Sequence, residues 1–117
     1  MRIHISAQGI DITPSLKTYI DKKFGSLSKF IEAFDKTGQA KILVEISRTT
    51  GHHRKGMVYR AAVDMDLPPK NMLRAEEFSE DLRAAIDSVK NKLTREIRKY
   101  KTKHFALRRA GSKAMFS

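Results

Sequence analysis

The chain has 117 residues and a mass of 13.4 kDa, the size of one compact domain, and 40% of its residues are hydrophobic, enough for a single modest core. It contains no cysteine, which excludes disulfides, thiolate metal sites and thiol catalysis, and its apolar runs are too short for a membrane-spanning helix. Lys and Arg number 24 against 13 Asp and Glu, giving a net charge of +11 and a pI near 10.1, so the expected partner is a polyanion, nucleic acid ahead of a membrane surface.

The start, Met1-Arg2-Ile3-His4-Ile5, lacks the basic-then-apolar layout of a signal peptide, and the expected location is the cytoplasm. Residues 2–7 alternate, with Ile3, Ile5 and Ala7 on one side and His4 and Ser6 on the other, which predicts a half-buried strand. Thr13 is placed to cap a helix and Pro14 suits its first position. Leu16, Tyr19, Ile20, Phe24, Leu27 and Ile31 follow at helical spacing and predict a helix to about Phe30 despite Gly25. Asp35-Lys36-Thr37-Gly38 reads as a turn. Ile42, Val44 and Ile46 mark a second strand, and Met57, Tyr59, Ala61, Val63 and Met65 a third. Thr50-Gly51-His52-His53-Arg54-Lys55-Gly56 joins them as a polar, basic hairpin connection. After a Pro68-Pro69-Lys70-Asn71 turn, residues 72–76 suggest a short fourth strand.

Ser79 is the expected N-cap of the last helix, with Glu80 and Asp81 in its first turn, where the helix dipole favours anions. Leu82, Ile86, Val89, Leu93, Ile97 and Tyr100 then step by three or four, predicting a long helix to about residue 103. Residues 104–117 lose that period, contain Gly111 and Ser112, and read as a flexible basic tail beside a domain at 1–103. The order β-α-β-β-β-α predicts an α+β fold: a four-stranded antiparallel sheet with both helices side by side on one face and a groove between them.

The charge is unevenly spread. Residues 88–117 hold ten bases and one acid, Glu96, and so account for +9 of the +11. On a wheel of about 100° per residue, Lys92, Arg95, Lys99 and Lys103 form a stripe on one flank of the apolar face. Arg83, Lys90 and Lys101 form another on the opposite flank, and one of the two must line the groove. The first helix adds Lys22, Lys23 and Lys29, with Lys23 close to the core stripe and its amine snorkelling outward. The expected RNA-binding residues are therefore Lys22, Lys23, Lys29, Arg83, Lys90, Lys92, Arg95, Lys99 and Lys101, set to follow phosphates. Solvated flanks partly paired with Glu80, Asp87 and Glu96 are the competing explanation, which ten bases against one acid disfavours.

Other chemistry is poorly signalled. His52-His53 sits on a loop without nearby carboxylates, His4 and His104 are isolated, and Asp64 and Asp66 lack a neighbouring base. There is no glycine-rich phosphate loop and no G-x-S-x-G motif. No catalysis, cofactor or metal is expected. Tyr19, Phe24, Tyr59 and Tyr100 fall on core stripes, whereas Phe105 and Phe116 have no evident core partner.

Several runs resemble the ribosome hibernation promoting factor family, which includes ribosome-associated inhibitor A, also called sigma-54 modulation protein. They are Met1-Arg2-Ile3-His4-Ile5-Ser6, Ile12-Thr13-Pro14-Ser15-Leu16, Lys22-Lys23-Phe24 and above all Glu80-Asp81-Leu82-Arg83-Ala84-Ala85-Ile86-Asp87, followed by Lys92-Leu93, Arg95 and Lys99. The resemblance spans about residues 1–103. It implies a fold akin to double-stranded-RNA-binding domains, and binding to the small ribosomal subunit and the 70S ribosome. The site implied is the 16S rRNA of the decoding region, where messenger and the A- and P-site transfer RNAs would lie. It further implies that initiation is blocked and idle ribosomes are preserved in stress or stationary phase, by occlusion. Lys23, Lys92, Arg95, Lys99 and Lys101 fall on basic family positions, whereas Arg83 stands where relatives often carry tyrosine. Long-form members continue into a second, dimerising domain, which a chain ending at Ser117 is expected to lack. A general double-stranded-RNA module acting off the ribosome is the alternative, and a protein-interaction module is a third reading.

Overall fold

Strict alternation in the strands puts one row of aliphatic side chains on each side of the backbone and so fixes which face of the sheet is covered. The computed structural model describes residues 1–32, 38–50, 57–67 and 71–116, residues 104–116 by backbone alone. Along the chain lie β1 (Arg2–Gln8), α1 (Pro14–Gly25), the short α2 (Ser28–Ile31), β2 (Lys41–Thr50), β3 (Met57–Leu67), β4 (Asn71–Ser79) and α3 (Leu82–Phe116). The four strands form one sheet in the order β1-β2-β3-β4. The expected α+β order is therefore found, with α2 as a short addition.

The sheet is mixed rather than antiparallel. β1 and β2 run parallel, Ile3 beside Ile42 and Ile5 beside Val44, while β2–β3 and β3–β4 are antiparallel. The connection explains the difference: a strand that returns through a helix re-enters the sheet in its original direction. β4 is also longer than the five residues expected, because its pairing with β3 continues to Ser79 opposite Tyr59.

Ile42, Val44 and Ile46 of β2 and Ala61, Val63, Met65 and Leu67 of β3 are buried beneath the helices. Leu16, Ile20 and Phe24 of α1 and Ala85, Ile86, Val89, Leu93 and Ile97 of α3 close the core from above. The opposite face of the sheet is open, and its charges balance. Register and alternation place Arg2, Lys41, Arg60 and Arg74 there against Glu45, Asp64, Asp66 and Glu76. Arg60 Nε donates to Glu76 at 2.6 Å and Arg74 Nε to Asp64 at 2.7 Å.

Local chemistry sets the helix ends. Thr13 caps α1 as expected, its hydroxyl accepting from the Leu16 amide at 3.1 Å, with Pro14 in the first turn. The helix does not run unbroken to Phe30. At Gly25 and Ser26 the serine hydroxyl donates to the Lys23 carbonyl at 2.8 Å, and the Leu27 amide turns back to Phe24 at 3.0 Å. Glycine favours the break and a serine hydroxyl competes for helix carbonyls, so the chain turns here and buries both Leu27 and Ile31.

Asp81, not Ser79, caps α3. Its carboxylate accepts from the Ala84 amide at 3.2 Å and its carbonyl from the Ala85 amide at 3.0 Å. Ser79 still belongs to β4 and its hydroxyl supports the Asp81 amide at 3.2 Å. The backbone of α3 continues to Phe116, where an irregular tail was expected. Residues 104–116 hold no proline and many good helix formers, so propensity extends the helix beyond the apolar period. The turn at Asp35 to Thr37, the His52-His53 loop, Pro68-Pro69-Lys70 and the side chains of His104, Phe105 and Phe116 lie outside the described residues.

The cap assignment has a direct consequence for stability. Asp81→Ala should cost about 1 kcal/mol in urea unfolding, and Ser79→Ala clearly less. Equal losses would return the cap to Ser79.

Candidate nucleic-acid interface

α3 presents three faces, and its contacts show where each one points. The core stripe lies on the sheet. One flank, containing Arg83 and Asp87, faces α1, where Asp87 accepts a hydrogen bond from the Tyr19 hydroxyl at 2.5 Å. The other flank faces the β4 edge: Lys92 Nζ donates to the Glu76 carbonyl at 3.3 Å and lies 3.8 Å from the Glu77 carboxylate. The groove between the helices is therefore lined by the Arg83 side. Lys92, Arg95 and Lys99 lie on the flank away from it.

A cluster built around Tyr19 bridges the helices. Arg83 Cζ stands 4.9 Å and Lys23 Nζ 5.5 Å from the centre of the Tyr19 ring, both within cation–π range. Asp87 also pairs with Lys23 at 3.3 Å, and Arg83 Nη2 donates to the Ser15 hydroxyl at 3.5 Å. One carboxylate thus ties a lysine and a phenol of α1 to α3, and Arg83 joins the cluster through the Tyr19 ring and Ser15. The hydrogen bond to Asp87, with burial and the Asp87 charge adding to it, pushes the Tyr19 phenol up to about 12. Folding stability from this contact is therefore complete below the ordinary tyrosine value near 10 and is lost as pH rises through about 12. Near neutral pH the Tyr19 phenol stays protonated and able to donate to Asp87.

The remaining expected residues spread over α1, α2 and both flanks of α3. Lys22 on α1 and Lys29 on α2 are exposed, and Lys90 and Lys101 are half-buried on the flank that carries Arg83. Arg95 is exposed, and Lys99 lies 3.5 Å from Glu96 one turn away. Among the described residues, no carboxylate pairs with Lys22, Lys29, Lys90, Arg95 or Lys101. Lys23, Lys92 and Lys99 are partly neutralised by Asp87, Glu77 and Glu96.

In the sequence Tyr19 reads as packing and Asp87 as a partner for flank cations, and neither Ser15 nor Arg98 is marked as part of a site. Tyr19 sits at the margin of the apolar stripe, where periodicity marks packing and gives no hint of a polar partner on another helix. Arg98 lies opposite the core and belongs to neither flank; with Ser88, Asn91, Thr94, Arg95 and Glu77 it borders a shallow depression of about 450 Å³. Among the described residues, no group of three His, Asp or Glu side chains could hold a metal ion, and no helix is long and apolar enough to cross a membrane.

Fold and surface together define a small α+β domain that carries its positive charge on the helix layer and a balanced set of charges on the open sheet. Residues 3–104 match the family described as sigma 54 modulation protein / S30EA ribosomal protein, and the chain belongs to that family. It is 32% identical over 105 residues to a ribosome hibernation promotion factor of Lactococcus lactis, and 34% identical over 104 residues to one of Staphylococcus aureus. Each alignment covers 88% of this chain and 51% or 50% of the relative, so the chain spans about half the length of these curated proteins. The crystal structure of the Thermus thermophilus protein Y N-terminal domain superposes with a TM-score of 0.68 at 27% identity, over 86% of this chain and 99% of that one. The resemblance drawn from the motifs of α1 and α3 thus identified the family.

The Tyr19 cluster can be checked directly. An ultraviolet tyrosinate titration of the folded chain should contain a component near pH 12 that Tyr19→Phe removes. Asp87→Ala should shift that component toward about 10. A titration unchanged by Asp87→Ala would mean that the bridge does not form in solution.

Proposed function

We infer that this chain is a ribosome hibernation factor. It binds the small ribosomal subunit, free and within the 70S ribosome, at the decoding region. It lies on 16S rRNA across the A and P sites and the messenger channel, and so blocks translation while preserving idle ribosomes in stress or stationary phase. Its place of action is the cytoplasm, on the ribosome.

The observation that carries this reading is the concentration of unneutralised cations on rigid helices of a chain whose family relatives bear hibernation-factor names. Ribosomal RNA offers a surface of phosphates fixed in space, and a rigid basic surface reads such a shape without needing bases. Because the cations sit on helices, no backbone ordering opposes binding, and the cost that remains is the ordering of exposed lysine and arginine side chains. Arg83 and Lys23, fixed over Tyr19, form one contact group, and Lys90 and Lys101 continue its flank of α3 over about 27 Å, with Lys22 exposed on α1. Arg95 leads the second group with Lys92 and Lys99, and Lys29 extends the basic surface along α2. Arginine adds a planar fork to the point charge that lysine supplies. The mechanism is occlusion, since a bound domain and a messenger with its transfer RNAs cannot share one channel. No bond is made or broken.

Sucrose-gradient sedimentation with separated subunits and 70S particles, in excess duplex RNA, tests the reading. The protein should travel with the small subunit and the 70S particle despite the competitor. Retention of the protein by the duplex RNA would favour the general RNA-binding module instead. The triple variant Lys92→Glu, Arg95→Glu, Lys99→Glu should lose co-sedimentation with an unchanged circular dichroism spectrum. Neutralising Arg95 alone should lower the slope of log affinity against log salt by about 1. Normal binding by the folded triple variant would move the interface off this flank.

A further inference from the structure

We propose that the outer edge of β4 is a self-pairing surface, through which two copies of this chain join their sheets into one. β4 is hydrogen-bonded to β3, and among the described residues no strand pairs its other side. The Glu76 carbonyl is reachable from outside the β3–β4 ladder, because it accepts from Lys92 Nζ at 3.3 Å. On the open face β4 also carries Met72 and Phe78, 58% and 50% exposed. Of the large apolar side chains described, only Ile12 joins them in being so exposed.

The occupant is identified by the order of residues in the strand, Met72-Leu73-Arg74-Ala75-Glu76-Glu77-Phe78. Antiparallel pairing about a two-fold axis at Ala75 sets Met72 opposite the partner's Phe78, and Arg74 opposite the partner's Glu76. Symmetry repeats both pairs on the other side of the axis. Apolar therefore meets apolar and each cation meets a carboxylate, the cross-strand pairs that stabilise a sheet. Neighbouring registers fail. An axis at Arg74 opposes two arginines, and an axis at Glu76 opposes two glutamates. On the helix side, Leu73 would lie along the partner's Glu77 stem, and Ala75 would face its own copy. The sequence is thus complementary to itself in one register, which favours a second copy over an unrelated strand.

Electrostatics adds a signature. The open sheet faces are charge-balanced and can come together without net repulsion. A two-fold axis perpendicular to the sheet, however, keeps both helix layers on one side. The Lys92, Arg95 and Lys99 flanks, which lie toward β4, then approach each other across the seam, and Lys92 must release the Glu76 carbonyl. Pairing should therefore strengthen as salt screens these cations, opposite to the behaviour of phosphate binding. The inference does not depend on the ribosome reading.

Sedimentation equilibrium of the full chain, over a concentration series at low and high salt, reads the association. A monomer–dimer equilibrium that tightens with salt is expected, with Met72→Asp and Phe78→Asp each weakening it about tenfold while circular dichroism stays unchanged. Because the chain has no cysteine, register can be read by cross-linking. Ala75→Cys should form a disulfide-linked dimer, since the paired Cα atoms would lie about 4.5–5.5 Å apart. Met72→Cys should not, because its two copies would be roughly 20 Å apart. A monomer at every concentration and salt, a dimer indifferent to both aspartates, or equal cross-linking by Met72→Cys would overturn the proposal.

Discussion

One helix must satisfy two opposed demands, and the rest of the molecule is arranged around how α3 meets them. Its stripe of Ile86, Val89, Leu93 and Ile97 is fully buried on β3 and β4, while cations border that stripe on both sides. Each buried aliphatic side chain contributes about 1.5–3 kcal/mol. A like-charge pair one turn apart on an exposed flank, such as Arg95 and Lys99, costs about 0.2–0.5 kcal/mol. The apolar stripe therefore outweighs the repulsion several-fold, and the helix can hold crowded positive charge in fixed positions. Each extra cation costs a little stability, and binding of a polyanion removes that cost.

The second organising contact is the bridge from Tyr19 to Asp87. Two helices lying on one sheet face share few direct contacts, and here a carboxylate supplies one by holding Tyr19 and Lys23 of α1 from α3. The same ring carries Arg83 on its face. Asp87 removes one unit of charge from the groove, yet it fixes where the two remaining cations stand. For a partner of rigid shape, position matters more than charge count, because misplaced cations must reorder before they reach a phosphate. The flank toward β4 works differently: Arg95 stands exposed without a carboxylate, and Lys92 is held by the strand beneath it.

Much of this was legible in the sequence, and the exceptions have physical reasons. Alternation along Ile42, Val44 and Ile46 and the long step pattern from Leu82 to Tyr100 report burial directly, so strands, helices and core could be read. Strand direction could not, because alternation is the same in parallel and antiparallel pairs. The parallel β1–β2 pairing follows from the crossover alone. The N-cap shifted from Ser79 to Asp81 because pairing with β3 draws Ser79 into the strand, a long-range effect invisible to local capping rules. Gly25 was visible as a weak point, but the Ser26 hydroxyl that turns the chain there acts through a backbone contact that periodicity does not register. Of the site, the cations were legible by type and flank. Which flank faced α1 was not, since a helical wheel has no neighbours until the second helix is placed.

The division of charge between the two layers follows from the same geometry. Cations on the open sheet stand across from carboxylates, Arg74 directly from Asp64 at about 5 Å and Arg60 diagonally from Glu76 and Glu45 at about 7–8 Å between backbones, within reach of an arginine. On α3 beyond Ser88 the only acid is Glu96, so pairing of that kind is unavailable and the excess stays uncompensated. A chain with +11 spread evenly would repel any second copy and attract polyanions from every side. Segregation gives one layer that favours phosphate and one that is electrically quiet, and only the quiet layer can approach another protein surface without a counter-ion. Salt therefore acts mainly through the cations of the helix layer, while the balanced sheet face is little affected by it.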